Sequence, residues 1–198
     1  ILNLSPKKLR NIKGVQPGIE NILKTLPGVS INNEMSSQYS VRGGNFDENL
    51  IYVNGIEIYR PLLVRSGQQE GLSFVNSEMT ENVNFSSGGF ESKYGDKMSS
   101  VLDIKYRVPE VNDLKLNSSL LGASIVSDNV MKDGKITNML GIRYRNNSLL
   151  VNSKETNSNF RPSFFDFQNY LNFNVNEKLN IGSILNYSNT VSYTHLRA

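Results

Sequence analysis

The chain has 198 residues, a formal charge of +3, 38% hydrophobic and 20% charged residues, and no cysteine. That length holds one domain, or a small domain with part of another, and the scattered Lys and Arg do not make a nucleic-acid surface. The missing Cys removes disulfides, zinc–thiolate sites and a thiol nucleophile, and the single His195 removes a His triad or a multi-His metal site.

Residues 2–18 are polar and broken by Pro6, Gly14 and Pro17-Gly18. They are expected to form an irregular lead-in with one short helical turn over 6–11. Ile19, Ile22, Leu23 and Leu26 then fall at i, i+3, i+4 and i+7, one apolar face of a helix about two turns long. Pro27-Gly28 stops it. Residues 38–42 are expected to be a strand. In 50–59, LIYVNGIEIY, two apolar-rich arms flank Asn54-Gly55. Asn-Gly supplies the positive φ angles of a type I′ turn, so a hairpin is predicted. Residues 60–73 read as a polar, Gly-containing loop and 74–80 as a short helical turn. Val83 and Phe85 share one side of a strand over 81–86. Gly88-Gly89 and Tyr94-Gly95 bracket a turn, 101–107 (VLDIKYR) is a strand, and Pro109 marks a break.

After Pro109 the texture changes. Asn and Ser are frequent, and segments of about ten residues carry one apolar and one polar side. Ile136, Leu140, Ile142 and Tyr144 oppose Thr137, Gly141, Arg143 and Arg145. Phe165, Phe167, Leu171, Phe173 and Val175 oppose Asp166, Gln168, Tyr170, Asn172 and Asn174. Leu179, Ile181, Leu185 and Tyr187 oppose Asn180, Gly182 and Asn186. A soluble antiparallel sheet alternates in the same way, so periodicity alone leaves both readings open. No run approaches the roughly 18–20 apolar residues of a membrane helix, which says nothing about barrel strands.

The order of motifs narrows the choice. LPGV at 26–29 is followed by YSVRGG at 39–44, LIYVNGIEIY at 50–59 and GGFESKYGDKMSSVLDI at 88–104, and then by the amphipathic strands. This set resembles the plug domain and first barrel strands of a TonB-dependent outer-membrane receptor, most closely the Bacteroidetes type. The resemblance implies an α+β plug domain over 1–108, followed by antiparallel β-strands of a truncated transmembrane β-barrel over 109–190. It also implies energy-coupled uptake of a scarce nutrient (siderophore, cobalamin, glycan or peptide) and no enzyme activity or cofactor. The implied partners are TonB, acting through a box upstream of the plug, outer-membrane lipid, a small nutrient ligand and a surface lipoprotein. A ligand-sensing outer-membrane signalling receptor and a soluble β-rich adhesin or structural protein are the competing readings. The chain opens with Ile1, so a targeting signal is expected upstream. Residues 191–198, VSYTHLRA, break the alternation and are expected to be a non-native tail, with no role for His195.

Short turns near 131–135 and 176–178 are expected on the periplasmic side, with the longer connection 146–163 outside. For the chain to leave the plug on the periplasmic side, 114–127 must go up and come back. A tight reversal near 121–124 is predicted, giving five partial strands.

The plug motif residues Arg42, Gly43, Gly44, Asp47, Glu48, Asn49, Asn54, Gly55, Gly88, Gly89, Tyr94 and Gly95 are the candidates for plug structure and barrel contact. Arg42, Asp47, Glu48 and Asn49 suit a hydrated interface, because polar groups that exchange with water separate at little net cost. The family's geometry implies that three loops, 32–37, 59–70 and 87–91, face the ligand. Tyr59, Arg60, Arg65, Gln68 and Gln69 are the candidate ligand-facing residues, since aromatic and guanidinium groups suit planar or anionic ligands. No metal site is expected: Asn45, Asp47 and Asn49 lack the spacing of a calcium loop, and Gly88-Gly89 lacks the GK[ST] of a phosphate loop.

Overall fold

The computed structural model describes residues 2–4, 19–23, 25–30, 38–59, 73–146 and 160–194. It divides into two compact units, 1–107 and 108–198.

In the first unit the strands are β1 (Leu2–Leu4), β2 (Val29–Ser30), β3 (Ser40–Val41), β4 (Asn49–Val53), β5 (Ile56–Glu57), β6 (Thr80–Ser86) and β7 (Ser100–Tyr106). One mixed sheet runs β1-β6-β7-β4-β5, with β4 and β7 parallel and the other neighbours antiparallel; β2 and β3 pair separately. Register aligns Ile51, Val53, Leu102, Ile104, Val83 and Phe85 on one face, and all six are buried. Each such side chain contributes about 1.5–3 kcal/mol on burial. Tyr39 sets its ring edge-on to Phe85 at 6.4 Å.

Helix α1 covers Ile19–Leu23, and Ile19, Ile22 and Leu23 are its buried stripe, as the spacing predicts. It is shorter than expected. The chain tightens into two i→i−3 bonds, Thr25 N–H to Ile22 O and Leu26 N–H to Leu23 O, before Pro27. Proline disfavours helical geometry in the residue before it, which accounts for the early end. The helical turn expected over 74–80 is instead an Asx turn. Asn76 Oδ1 accepts from Glu78 N–H at 3.1 Å, and Met79 N–H bonds Asn76 O. An Asn side chain that bonds the backbone two residues on competes with helix formation. The turn expected over 6–11 lies outside the described residues.

In the second unit β8 (Asp113–Ser119), β9 (Gly122–Met131), β10 (Ile136–Asn146), β11 (Phe160–Asn176) and β12 (Leu179–Thr194) form a five-stranded antiparallel meander in sequence order. The expected reversal is present, at Leu120-Leu121, just ahead of the predicted position. β11 and β12 have 17 and 16 residues, well beyond the ten or so read from the alternation. Backbone pairing continues past the point where the apolar/polar pattern stops, because ladder hydrogen bonds do not depend on side-chain polarity. The ladder carries Val191, Ser192, Tyr193 and Thr194 as well, so the broken alternation of the expected tail does not end the strand.

The two faces of this sheet decide its environment. One carries Leu114, Leu116, Ile125, Met131, Tyr144, Phe165, Leu171, Phe173, Val175, Leu179, Ile181, Leu185 and Tyr187, between 38% and 67% exposed. The other buries Asp128, Thr137, Arg145, Asp166, Gln168 and Asn172, together with Val126, Met139, Phe164 and Tyr170. A sheet folded in water does the reverse.

Candidate functional site

The YSVRGGNFDENL stretch is a closed polar corner. After β3, Arg42 and Gly43 turn the chain with φ of 51° and 80°, and Arg42 N–H bonds Gly28 O at 2.8 Å. The Arg42 side chain is exposed and lies over Gly88, where an added Cβ would meet its guanidinium at 3.0 Å. It has no hydrogen bond or ion pair among the described residues. Asn45 Oδ1 accepts from Phe46 N–H and opens a 3-10 turn, Phe46–Glu48. Ser99 Oγ donates to Glu48 Oε2 at 2.7 Å, Ser100 Oγ to Asn49 Oδ1 at 2.6 Å, and Lys97 Nζ to Asp47 O at 2.6 Å. Asn49 Nδ2 donates to Tyr39 O at 2.9 Å. The corner is thus tied to the Lys97–Ser100 approach to β7, in parallel with the β4–β7 ladder. Gly44 is required by space: a Cβ there would stand 1.8 Å from Ser99 Oγ and 2.8 Å from Glu48 Oε2.

At the hairpin, Asn54 and Gly55 take φ of 50° and 79°, the left-handed values of a type I′ turn. Asn54 does more than turn the chain. Its N–H bonds Ile104 O and its Oδ1 accepts from Tyr106 N–H, both at 2.8 Å, which fastens the hairpin to the end of β7.

Tyr94 and Gly95 belong to a second cluster. Tyr94 Oη donates to Asp103 Oδ2 at 3.0 Å, its ring sits 5.3 Å from that of Tyr52, and Lys93 Nζ lies 4.7 Å above it. Burial, then the bond to Asp103, raises the Tyr94 hydroxyl pKa above 10.0; burial, then Glu57, raises that of Tyr52. Lys93 is pushed up to about 12, first by its bond to Glu91 and then by Tyr94. Gly88 and Gly89 turn at φ of 136° and 62°, with Ser86 Oγ bonded to Gly88 O.

On the polar face of the second sheet, Arg143 and Asp166 stand opposite in register. Arg143 Nε and Nη2 both donate to Asp166 Oδ2, at 2.8 and 2.5 Å, and Asn186 Nδ2 donates to Asp166 Oδ1 at 2.8 Å. One buried carboxylate so joins β10, β11 and β12. Lys115 reaches Asp113 and the buried Asp128, at 3.2 and 3.5 Å. Among the described residues no group of three or more His, Asp or Glu side chains could hold a metal ion.

The structure therefore brings Asp47, Glu48 and Asn49 together with Lys97, Ser99 and Ser100, and sets Arg42 beside Gly88. Tyr59 is 84% exposed at the start of its loop. Arg60, Arg65, Gln68 and Gln69, and the loop 32–37, lie outside the described residues. The partners at Lys97, Ser99 and Ser100 were not legible as such. They sit about 50 residues from the corner they bond, inside the quoted motif, and pairing of β4 with β7 is what delivers them.

Comparison with known proteins agrees with this architecture. Residues 7–101 match the TonB-dependent receptor plug domain. Solved structures match nearly the whole chain. The siderophore receptor PirA from Acinetobacter baumannii is 16% identical with a TM-score of 0.67, covering 98% of this chain and 31% of its own. The first unit carries a TonB-dependent receptor plug domain. The outer-membrane transporter YddB from Escherichia coli matches at 11% identity and a TM-score of 0.68, covering 96% of this chain and 33% of its own. The ferric enterobactin receptor from Pseudomonas aeruginosa, a mutant solved with enterobactin, matches at 13% and 0.63, covering 96% and 33%. The chain spans about a third of the length of these receptor structures. No curated protein matches it. The shared barrel fold accounts for the inside-out sheet: in an outer-membrane barrel the apolar face meets lipid and the polar face lines the interior. The soluble reading, which required no apolar outer belt, is set aside by that face.

Proposed function

We propose that this chain is the plug and leading barrel strands of a receptor that imports a scarce nutrient across the outer membrane, drawing energy from TonB. The observation that carries the reading is the succession of a plug domain and a sheet with its apolar face outward. Such a pair serves to close and open a pore in lipid. Among the nutrients considered, a ferric siderophore is favoured by the similar receptors whose names specify siderophore or enterobactin. The motif order supports the narrower Bacteroidetes-type assignment.

Arg42 is the plug residue best suited to a hydrated polar contact with the wall of a complete barrel. Its guanidinium is exposed and unengaged among the described residues, whereas Glu48 and Asn49 are bonded within their own unit. Tyr59, Arg60, Arg65, Gln68 and Gln69 face the ligand, and an anionic or planar iron chelate fits the two arginines and the tyrosine. The test is uptake of labelled ferric siderophores by cells carrying the full-length receptor, with and without a working TonB. Uptake that persists without TonB overturns the energy-coupled reading. Replacing Arg60 and Arg65 together by Ala is expected to weaken ligand affinity; unchanged affinity removes them from the site.

A further inference from the structure

Asn54-Gly55 is the one Asn-Gly step in the chain. An asparagine followed by glycine carries its own reaction. The Gly55 nitrogen attacks Asn54 Cγ and the Cγ–Nδ2 bond breaks. The Gly55 proton passes through solvent to the departing Nδ2, which leaves as ammonia, and a five-membered succinimide closes. Water then opens that ring at either carbonyl, giving aspartate or isoaspartate. The only co-reactant is water. Glycine favours the step because no side chain crowds the attacking nitrogen.

The closed hairpin withholds the geometry this reaction needs. The nitrogen must come within about 3–3.5 Å of Cγ. For that, it and Cβ must be nearly eclipsed about the Cα–C bond. Asn54 and Gly55, with φ of 50° and 79°, form a type I′ turn. In such a turn ψ of the first central residue is about +30°. For an L residue that ψ sets the Gly55 nitrogen anti to Cβ, on the far side of the bond. Rotating the side chain alone does not close the gap; ψ must change, and neighbours hold it. Val53 pairs with Ile56 across the hairpin. Asn54 N–H bonds Ile104 O and Asn54 Oδ1 accepts from Tyr106 N–H, both at 2.8 Å. Val53 and Ile104, partners in the parallel ladder, are both fully buried. Asn54 Nδ2, the leaving group, is buried with no partner among the described residues, so its loss forfeits no bond there.

We propose that Asn54 is a deamidation site gated by the fold, shut while the hairpin lies against β7 and reactive once the hairpin comes away. The two products then differ. Aspartate keeps the left-handed turn and the acceptor for Tyr106 N–H, so the hairpin closes again. Isoaspartate carries the main chain through Cβ and Cγ, one carbon longer. The Val53–Ile56 pairing and the two bonds to β7 then cannot all re-form. Opening is thereby recorded in the covalent chain, and the isoaspartyl fraction stays open. The gate is set by the hairpin itself, whatever the nutrient.

The test uses the full-length receptor folded into lipid vesicles and held in mildly alkaline buffer. Its tryptic peptide 43–65 contains Asn45, Asn49 and Asn54. Mass spectrometry reads the exchange of NH2 for OH at each, and fragmentation separates aspartate from isoaspartate. In concentrated urea Asn54 is expected to react well ahead of Asn45 and Asn49, which precede Phe46 and Leu50. In the folded receptor its rate should fall roughly tenfold or more, because the reaction then draws only on the opened fraction. Urea added below the unfolding transition should raise the folded rate progressively. Ile104→Ala, which removes buried packing at the hairpin's anchor, should raise it several-fold. Equal rates in the folded and unfolded receptor refute the gate, and no reaction in concentrated urea refutes the site. A folded rate that neither urea nor Ile104→Ala changes also refutes the gate. Should Ile104→Ala fail to fold, the urea series on the unaltered receptor decides alone.

Discussion

Asp166→Ala should be among the most damaging single changes in the second sheet. Asp166 is fully buried, and Arg143, its partner, keeps 14% side-chain exposure. Removing one member of a buried pair strands the other and costs about 3–5 kcal/mol. Arg143's residual exposure puts this case near the lower figure, while Asn186 also loses its acceptor, about 1 kcal/mol more. The expected total is about 3–4 kcal/mol. Asp166→Asn keeps volume and one acceptor and should cost about half of that. The double change Arg143→Met with Asp166→Leu removes both charges and should cost less than Asp166→Ala alone. The assay is urea unfolding of the full-length receptor folded into lipid vesicles, with free energies from the linear dependence on urea. If Asp166→Ala stays within about 0.5 kcal/mol of the unaltered protein, or if the double change costs the sum of the singles, the pair is not the clamp its geometry suggests.

Gly44→Ala drives a methyl into the Ser99–Glu48 bond and should lower stability by about 1–3 kcal/mol, and adding Ser99→Ala should recover part of the loss, read as a melting temperature. Asn54→Asp keeps both the left-handed turn and the acceptor for Tyr106 N–H and should be within about 1 kcal/mol of neutral. Asn54→Val loses both and should cost about 2 kcal/mol or more in the same measurement. Tyr52 and Tyr94 should ionise above pH 10.0 in an ultraviolet titration, and Asp103→Asn should lower only Tyr94, in part, since burial is the larger cause. Their raised values mean that the stability they carry is complete below about pH 10 and is lost as pH climbs through the folded values. Ionisation of both at the ordinary pKa would refute the surroundings drawn here for these half-buried rings.

Much of the fold was legible in the sequence because its signals are local. The Asn54-Gly55 hairpin, the buried stripe of α1 and the β6 and β7 strands each follow from a spacing or a turn chemistry that short peptides share, whereas the reversal between β8 and β9 was expected from the orientation of barrel turns. The same local logic failed where a neighbour intervened. Pro27 shortened the helix, and Asn76 replaced a helical turn by bonding its own backbone. Within the candidate sites, the sequence singled out Glu48 and Asn49 but not the serines that hold them, because the link runs through a parallel strand pair some 50 residues apart.

What the sequence alone determined was the alternation of the second unit; what it left open was which side of that alternation meets solvent. A two-residue period is a property of the strand and is identical whether water lies on the polar side or lipid on the apolar one. Only the paired sheet shows Asp166, Gln168 and Asn172 buried while Phe173, Ile181 and Leu185 stand outward. Only the register sets Arg143 against Asp166. Side-chain polarity is written residue by residue, but the burial and the partners that give it meaning belong to strands joined across the sheet.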